Sequence, residues 1–120
     1  MGNPNTQRIG NIAEDQACAY LEKQGMICLD RNYYCDFGEI DLIMKEGEYI
    51  VFAEVRCRNN QDYASALESV TLAKQHKLIK TATFYLLENK LLNKVDCRFD
   101  VLAVAYTQVD WIKNAFSVDR

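Results

Sequence analysis

The sequence lacks several features that would point directly to a function. Its five cysteines include no C-x-x-C pair, which argues against a zinc site. No apolar run approaches the length of a transmembrane helix and the start of the chain is polar, so neither a membrane span nor a signal peptide is expected. Repeats, linkers and low-complexity tracts are also missing. We therefore expect one domain over residues 1–120, with residues 1–5 disordered and no membrane partner.

An excess of positive charge is missing as well. The 14 Lys and Arg residues against 17 Asp and Glu residues give a net charge of −3, which argues against a general nucleic-acid-binding protein. The objection weakens if some of the acids hold a metal ion, because the ion would offset their charge. The cysteines predict mostly buried thiols in a reducing cytoplasm. They are Cys18, Cys28, Cys35, Cys57 and Cys97.

Acidic residues occupy two segments that otherwise have the composition of buried strands. Residues 38–43 read Gly-Glu-Ile-Asp-Leu-Ile, and residues 54–58 read Glu-Val-Arg-Cys-Arg. Asp and Glu form strands poorly, and an unpaired charge is costly to bury. Something must therefore neutralise these side chains, and a divalent metal ion beside a phosphate group would do so.

The short connection between these segments predicts a β-hairpin. With Glu46-Gly47 as its turn, Asp41 lies opposite Phe52. Because side chains alternate between the two faces of a strand, Asp41 and Glu54 share a face as diagonal neighbours, with backbones roughly 7–8 Å apart. Two carboxylates at that distance can hold one cation. A three-residue turn would separate them.

The hairpin is predicted to have one apolar and one largely charged face. The apolar face carries Ile40, Leu42, Met44, Tyr49, Val51, Ala53 and Val55, and the other face carries Glu39, Asp41, Phe52, Glu54, Arg56 and Arg58. Mg²⁺ or Mn²⁺ on the charged face would activate a water and polarise a phosphoryl oxygen. Arg56 would stabilise the negative charge that develops. The spacing leaves open a solvated face with ion pairs such as Glu39 with Arg56.

The order Asp41, then Glu54-Val55-Arg56, resembles the PD-(D/E)XK nuclease signature. A longer set of segments resembles the YraN-like family of bacterial proteins over about residues 9–116. The segments are residues 10–14, 38–43, 51–58, 69–71, 74–78, 98–101 and 114–116, with Ala17, Tyr20 and Leu21. The resemblance implies a restriction-endonuclease-like fold, similar to that of archaeal Holliday-junction resolvases. It also implies nucleic acid, with DNA expected, as a partner, and a homodimer.

The resemblance further implies roles for individual residues. Asp41 and Glu54 match the metal-binding acids of the signature, and Glu14 matches an additional acid from the first helix. Without the resemblance, Glu14 would be interpreted as a solvent-facing residue favoured by the helix dipole. Arg56 stands where active nucleases usually have lysine, and arginine cannot act as a base. The exchange is compatible with charge stabilisation or with a loss of nuclease activity.

The rest of the pattern predicts a single α/β domain in the order αβββαβ with a short C-terminal element, built as a central mixed sheet flanked by helices. The helices are expected from Asn5 or Thr6 to Gln24 and from Ser69 or Thr71 to Glu88, the second facing the sheet through Leu72, Gln75, Ile79, Ala82 and Leu86. The strands are expected at residues 26–33, 37–44, 48–58 and 97–106, with a last segment at 111–116. The strand at 97–106 should return parallel, and its Arg98 and Asp100 should form a structural ion pair.

Basic residues near the proposed site predict contacts with nucleic acid. Arg58, Lys74 and Lys77 are expected to contact phosphates, and Gln75 to hydrogen-bond a metal-bound water. The lysines could equally form a solvated helix face. A polar loop at residues 59–63 is expected to help hold substrate. The predicted function is Mg²⁺- or Mn²⁺-dependent hydrolysis of phosphodiesters in structured or branched DNA; the alternative is a catalytically inactive module that binds nucleic acid or protein.

Overall fold

Five β-strands form one mixed sheet, with helices packed on both of its faces. The computed structural model describes residues 4–58, 64–106 and 108–117, and within them the side chains from residue 11 onward, apart from that of residue 64. The helices of this part of the chain are α1 (Pro4–Lys23), α2 (Ala64–Glu68) and α3 (Leu72–Glu88). Its strands are β1 (Ile27–Cys35), β2 (Gly38–Glu46), β3 (Tyr49–Cys57), β4 (Asp96–Ala105) and β5 (Gln108–Phe116).

Helix α1 forms because small and apolar residues recur at helical spacing along one stripe. Ala13, Ala17 and Leu21 are buried in that stripe, as the sequence predicts. The helix begins at Pro4, so residues 4 and 5 are helical rather than disordered. Proline suits a first turn, because the N–H that it lacks would have no partner there. Residues 1–3 lie outside the described residues.

Helix α3 begins after Thr71, whose hydroxyl accepts a hydrogen bond from the backbone N–H of Lys74 at 3.3 Å and so caps the helix. The predicted inward stripe is partly wrong, because Leu72 is 62% exposed. The residues that α3 buries are Leu78, Thr81, Ala82, Tyr85 and Leu86. The first turns of α3 therefore project past its packed region. Helix α2 was not predicted, and the expected substrate loop at residues 59–63 lies outside the described residues.

The strands lie side by side in chain order, and only one neighbouring pair is parallel. Strands β1, β2 and β3 form an antiparallel meander. Strand β4 lies parallel to β3, as predicted for a strand that returns after a helical crossover. Strand β5 pairs antiparallel with β4 and forms the second edge, and it is longer than the closing segment expected from the sequence.

Alternating side chains of the sheet supply two separate core layers. The layer under α3 contains Ile43, Phe52, Val101 and other apolar residues, together with the buried face of the helix. The layer under α1 contains Leu42, Met44 and further residues of β3 and β4. Strands buried on both faces explain why their sequence is so continuously apolar. The single α/β domain with a mixed sheet flanked by helices is confirmed.

From the Leu42–Ala53 pair to its turn, the hairpin of β2 and β3 has the predicted sidedness but a different register. Its turn consists of Gly47 and Glu48, rather than Glu46 and Gly47. The pairing is therefore shifted by two positions, and the observed register brings Asp41 opposite Glu54 instead of diagonal to it. A shift of two residues keeps every side chain on its face, because the side-chain period of a strand is two.

The apolar face of the hairpin is interrupted beside Asp41. Ile40 was predicted to share a face with Leu42, but Ile40 packs in the layer under α3 and Leu42 in the layer under α1. The adjacent strand β1 is irregular at this point, since Asn32, which lies across from Asp41, has a φ of 52°. Asparagine tolerates this left-handed conformation better than most residues. The chain therefore kinks at the place where the predicted acidic site lies.

Asp100 of β4 is a fully buried charge at 0% exposure. It accepts hydrogen bonds from Arg98 Nε at 3.0 Å, Trp111 Nε1 at 2.8 Å and the Asn114 backbone N–H at 2.9 Å. A buried carboxylate is tolerated only when its oxygens are paired in this way. The structural ion pair predicted between Arg98 and Asp100 is confirmed.

The prediction of mostly buried cysteines is wrong. Cys18 is buried, Cys28 and Cys35 are half-buried, and Cys57 and Cys97 are exposed. All five carry free thiols. In the part of the chain that the structure describes, no helix combines the length and the apolar character that a membrane crossing requires.

Candidate active site

The site begins where the pairing of β2 and β3 ends. The antiparallel ladder stops at Leu42 with Ala53, and Asp41 is the next residue outward. Its Oδ2 accepts a hydrogen bond from the backbone N–H of Val55 at 2.9 Å. The Asp41 side chain thus accepts a backbone hydrogen bond in place of a ladder partner, and this hydrogen bond holds it against β3.

Glu54 faces Asp41 from β3 and is only 15% exposed at its side chain. Burial, the negative charge of Asp41 and a hydrogen bond with Asp41 raise the pKa of Glu54, and against the opposing charges of Arg56 and Lys74 the pKa reaches about 8. At neutral pH the two carboxyl groups therefore hold a proton between them. Glu54 Oε1 is buried and has no hydrogen-bond partner among the described residues.

Arg56 lies two residues along β3, on the same face as Glu54. Its Nη2 is 3.0 Å from Glu54 Oε2, without the geometry of a hydrogen bond. The ion pair that forms is thus within one strand, whereas the alternative drawn from the sequence was a cross-strand pair with Glu39. The Nε and Nη2 groups of Arg56 are buried without a hydrogen-bond acceptor in the described part of the chain. Among these residues the Nε donor therefore has no acceptor, and Nη2 has only the Glu54 carboxyl group beside it.

Glu14 reaches the same region from α1, as the resemblance implied. Burial raises the pKa of Glu14, and the nearby negative charge of Asp41 adds to the rise, while a hydrogen bond from Asn32 and the charge of Arg31 oppose it. Its Oε1 is 3.8 Å from Arg31 Nη2 and has no hydrogen-bond partner among the described residues. Asn32 was not identified from the sequence; its residue type is the only signal that could have marked the kink.

Glu39 and Cys57 complete the acidic surroundings. Burial raises the pKa of Glu39, and the charge of Asp41 adds to it. Burial likewise raises the pKa of the Cys57 thiol, with contributions from the charges of Asp41 and Glu14. The charge of Asp41 therefore raises the pKa of each of the neighbouring groups, which are Glu14, Glu39, Glu54 and Cys57. As the side chains of the described residues stand, no three His, Cys, Asp or Glu groups converge closely enough to form a ready-made metal cluster.

The predicted phosphate contacts divide into two groups. Lys74 and Lys77 are exposed on the first turns of α3, and Lys74 lies close enough to lower the pKa of Glu54. Arg58 does not suit a phosphate on an open surface, because its side chain is 2% exposed and forms an ion pair with Asp110 of β5. The sequence could not show this, since Asp110 lies on a strand far along the chain.

Gln75 has a structural contact in place of the predicted one. Its Nε2 donates a hydrogen bond to the carbonyl of Val70 at 3.0 Å, which ties α3 to the segment before it. The amide nitrogen is therefore occupied at the helix start. An interaction of Gln75 with a metal-bound water stays a prediction, for which its carbonyl oxygen and its second N–H are left.

Gly38 explains why α3 can approach the acidic segment so closely. It has a φ of 153°, and a Cβ at this position would lie 3.3 Å from Thr81 Oγ1 and 3.8 Å from Lys77 Cβ. A larger residue would push the helix outward. The glycine that opens the acidic motif thus lets α3 pack close to it, and Lys74 of that helix lies near enough to Glu54 to act on its pKa.

Comparisons with known proteins place the site within a family. The pattern described as "Uncharacterised protein family UPF0102" matches residues 13–104, a span that includes Glu14, Glu39, Asp41 and Glu54. A UPF0102 protein of Vibrio parahaemolyticus is 47% identical over 98% of this chain and 98% of its own length. UPF0102 proteins of Coxiella burnetii (47% identical; 95% and 96% covered) and Legionella pneumophila (42%; 92% and 96%) are similar. The YraN-like resemblance is confirmed, and the chain belongs to the UPF0102 family.

Proposed function

We propose that the protein is a divalent-metal-dependent nuclease that hydrolyses phosphodiesters in structured or branched DNA. The observation that carries the proposal is the pair Asp41 and Glu54, two facing carboxyl groups, of which Glu54 is largely buried and has an oxygen without a hydrogen-bond partner among the described residues. Such a pair is unfavourable for folding, because like charges repel and burial disfavours the charged forms. Pairs of this kind cluster at functional sites. A divalent cation bound between the two carboxylates would replace the proton and remove the repulsion.

The donor set fits Mg²⁺ or Mn²⁺. These ions take oxygen ligands and need only one or two carboxylates, the rest coming from water and phosphate. Asp41 and Glu54 would hold the ion, since Glu54 Oε1 has no partner among the described residues. Glu14, whose Oε1 is also unpartnered there, would be a third ligand. When bound, the ion lowers the pKa of a water molecule and polarises the phosphoryl oxygen.

The basic side chains around the pair suit a phosphate group. Arg56 cannot act as a base, but its Nε group, which has no acceptor among the described residues, can donate to a phosphate oxygen as negative charge builds up on it. Lys74 and Lys77 are exposed on α3 and can contact neighbouring phosphates of the strand. A restriction-endonuclease-like arrangement, a homodimer and a cytoplasmic location belong to the same proposal; the five free thiols favour the last of these.

Metal removal tests the proposal directly. The full chain is incubated with labelled branched and linear DNA, and with RNA, in Mg²⁺, in Mn²⁺ and in excess chelator. We expect cleavage of branched DNA in either metal and none in chelator. The proposal fails if cleavage is equally fast in chelator, or if DNA is bound and never cut in either metal.

A second candidate function is binding of nucleic acid without cleavage. It is favoured by the contact at 3.0 Å between Arg56 and Glu54, because a resident guanidinium already offsets part of the charge that a metal would neutralise. In this reading the acids and Arg56 hold the hairpin end together, and the lysines of α3 do the binding.

Substitution of Arg56 separates the two functions. For the nuclease, we expect Arg56→Gln to lower the cleavage rate by about 100-fold while DNA affinity falls by less than about tenfold, since the lost interaction acts on developing charge. Arg56→Lys, the matched control, keeps the charge and should cleave within about tenfold of wild type. Equal cleavage by the Gln and Lys variants would contradict this role. Cleavage that appears only in Arg56→Lys would support the binding function.

A further inference from the structure

A second feature lies beside the acid pair and has no part in the proposed chemistry. A cavity of about 480 Å³ opens between α1 and the ends of β3 and β4. Its walls include Ile12 and Ala13 of α1, and Val104 and Tyr106 at the end of β4. This volume lies in the range typical of small-molecule pockets and exceeds what a single nucleobase needs.

The cavity wall contains a buried charge that is only partly satisfied. Arg58 lines the cavity, is 8% exposed, and pairs with Asp110 through Nη2. Its Nε and Nη1 are buried and have no hydrogen-bond partner among the described residues. Buried donors without acceptors are uncommon and destabilising. A ligand with ring nitrogens or carbonyl oxygens would supply the acceptors.

The residues that line the cavity also include an aromatic side chain in solvent. Tyr106 is 96% exposed, which is unusual for so large a side chain, and Gln16 donates a hydrogen bond from Nε2 to its carbonyl at 3.4 Å. An exposed ring beside apolar walls provides a surface on which a flat group can stack. Ile12, which is 52% exposed, borders the same opening.

The cavity adjoins the acid pair through the chain itself. Ala13 precedes Glu14, and Cys57, another wall residue, follows Arg56. Cys57 lies close enough to Asp41 and Glu14 for the charges of both to act on its thiol, so the cavity reaches the neighbourhood of the side chains that would hold the scissile phosphate. This proximity is what distinguishes a substrate pocket from an unrelated ligand site.

We infer that this cavity receives a nucleobase from the DNA strand whose phosphate lies at Asp41 and Glu54. The inference rests on the proposed function and specifies its substrate. The base would stack on Tyr106 and accept hydrogen bonds from Arg58. A paired base would have to leave the duplex at a cost, whereas a base at a branch is already unpaired, so the pocket selects for branched DNA.

Binding of paired fork DNAs tests the inference without any cleavage. The two forks are identical except that the nucleotides at the branch carry bases in one and are abasic in the other. In chelator, we expect wild type to bind the base-containing fork about tenfold more tightly, the order of effect that base–aromatic stacking produces. Tyr106→Ala and Ile12→Trp, which remove the ring and block the opening, should bind both forks alike.

Matched variants on another surface serve as controls. Phe84→Ala and Leu87→Trp change exposed apolar residues of α3 that do not border this cavity, and should keep the wild-type preference. Equal affinity of wild type for the two forks, or an undiminished preference in both pocket variants, overturns the inference while leaving the cleavage result to judge the nuclease. A base preference without cleavage supports the pocket and overturns the nuclease. Failure to bind either fork overturns both.

Discussion

Asp41→Asn is expected to reduce metal-dependent cleavage of branched DNA by about 100-fold or more. The substitution removes one negative charge and one metal ligand from the pair with Glu54. It keeps the fold, because the amide oxygen of asparagine can still accept the hydrogen bond that Val55 N–H donates to Asp41 at 2.9 Å. The measurement is the single-turnover cleavage rate in Mn²⁺, together with the rise in melting temperature that Mn²⁺ produces.

Both readouts should change together in this variant. Wild type should melt at a higher temperature in Mn²⁺ than in chelator, and Asp41→Asn should show little of that rise. Asp36→Asn is the matched control, since Asp36 is an exposed acid in the turn before β2 and the same change there should leave both readouts as in wild type. A metal-dependent rise of full size in Asp41→Asn would show that the ion binds elsewhere.

Glu54→Gln is expected to change the pH dependence of stability by a few kcal/mol. The pKa of Glu54 is about 8 in the folded chain, against an ordinary value of 4.5. Between these values the folded state keeps a proton that the unfolded state has released. The free energy of unfolding of wild type should therefore fall as pH rises from 4.5 to 8, by on the order of a few kcal/mol, and Glu54 adds no further change above that range.

Glutamine removes this titration and can still donate a hydrogen bond to Asp41. Urea unfolding in chelator should show the stability of the variant rising relative to wild type as pH increases from 5 to 8.5. A smaller slope should remain, because Glu14 and Glu39 also have raised pKa values. Glu48→Gln, at an exposed turn position, should follow wild type throughout. Parallel curves for wild type and Glu54→Gln would contradict a shared proton.

The hairpin shows which structural features a local sequence pattern can predict. Alternation of residue type correctly placed Asp41 and Glu54 on facing strands, because only parity is needed for that result. The predicted turn lies one residue before the observed one, because Glu46-Gly47 and Gly47-Glu48 are chemically similar pairs of turn residues. A shift of two residues preserves the faces of the regular ladder, so the error made Asp41 a direct rather than a diagonal neighbour of Glu54.

Other predictions were wrong because they depend on contacts between distant parts of the chain. Arg58 was expected to contact phosphate, but its partner Asp110 is 52 residues away and no local rule connects them. Helix α3 also buries a stripe that begins at Leu78 rather than at Leu72. Both differences arise from how β4, β5 and α3 pack, and packing is decided between elements rather than within them.

The sequence by itself determined the two long helices, the strands, the α/β class and the placement of Asp41 and Glu54 on neighbouring strands, because hydrophobic periodicity and strand alternation act over a few residues. Family membership followed from the same residues. Only the tertiary structure decided that Glu14 joins them, that Glu54 shares a proton with Asp41, and that Arg58 lines a cavity. Charge state and burial depend on neighbours brought together from distant parts of the chain, and a linear pattern does not contain those distances.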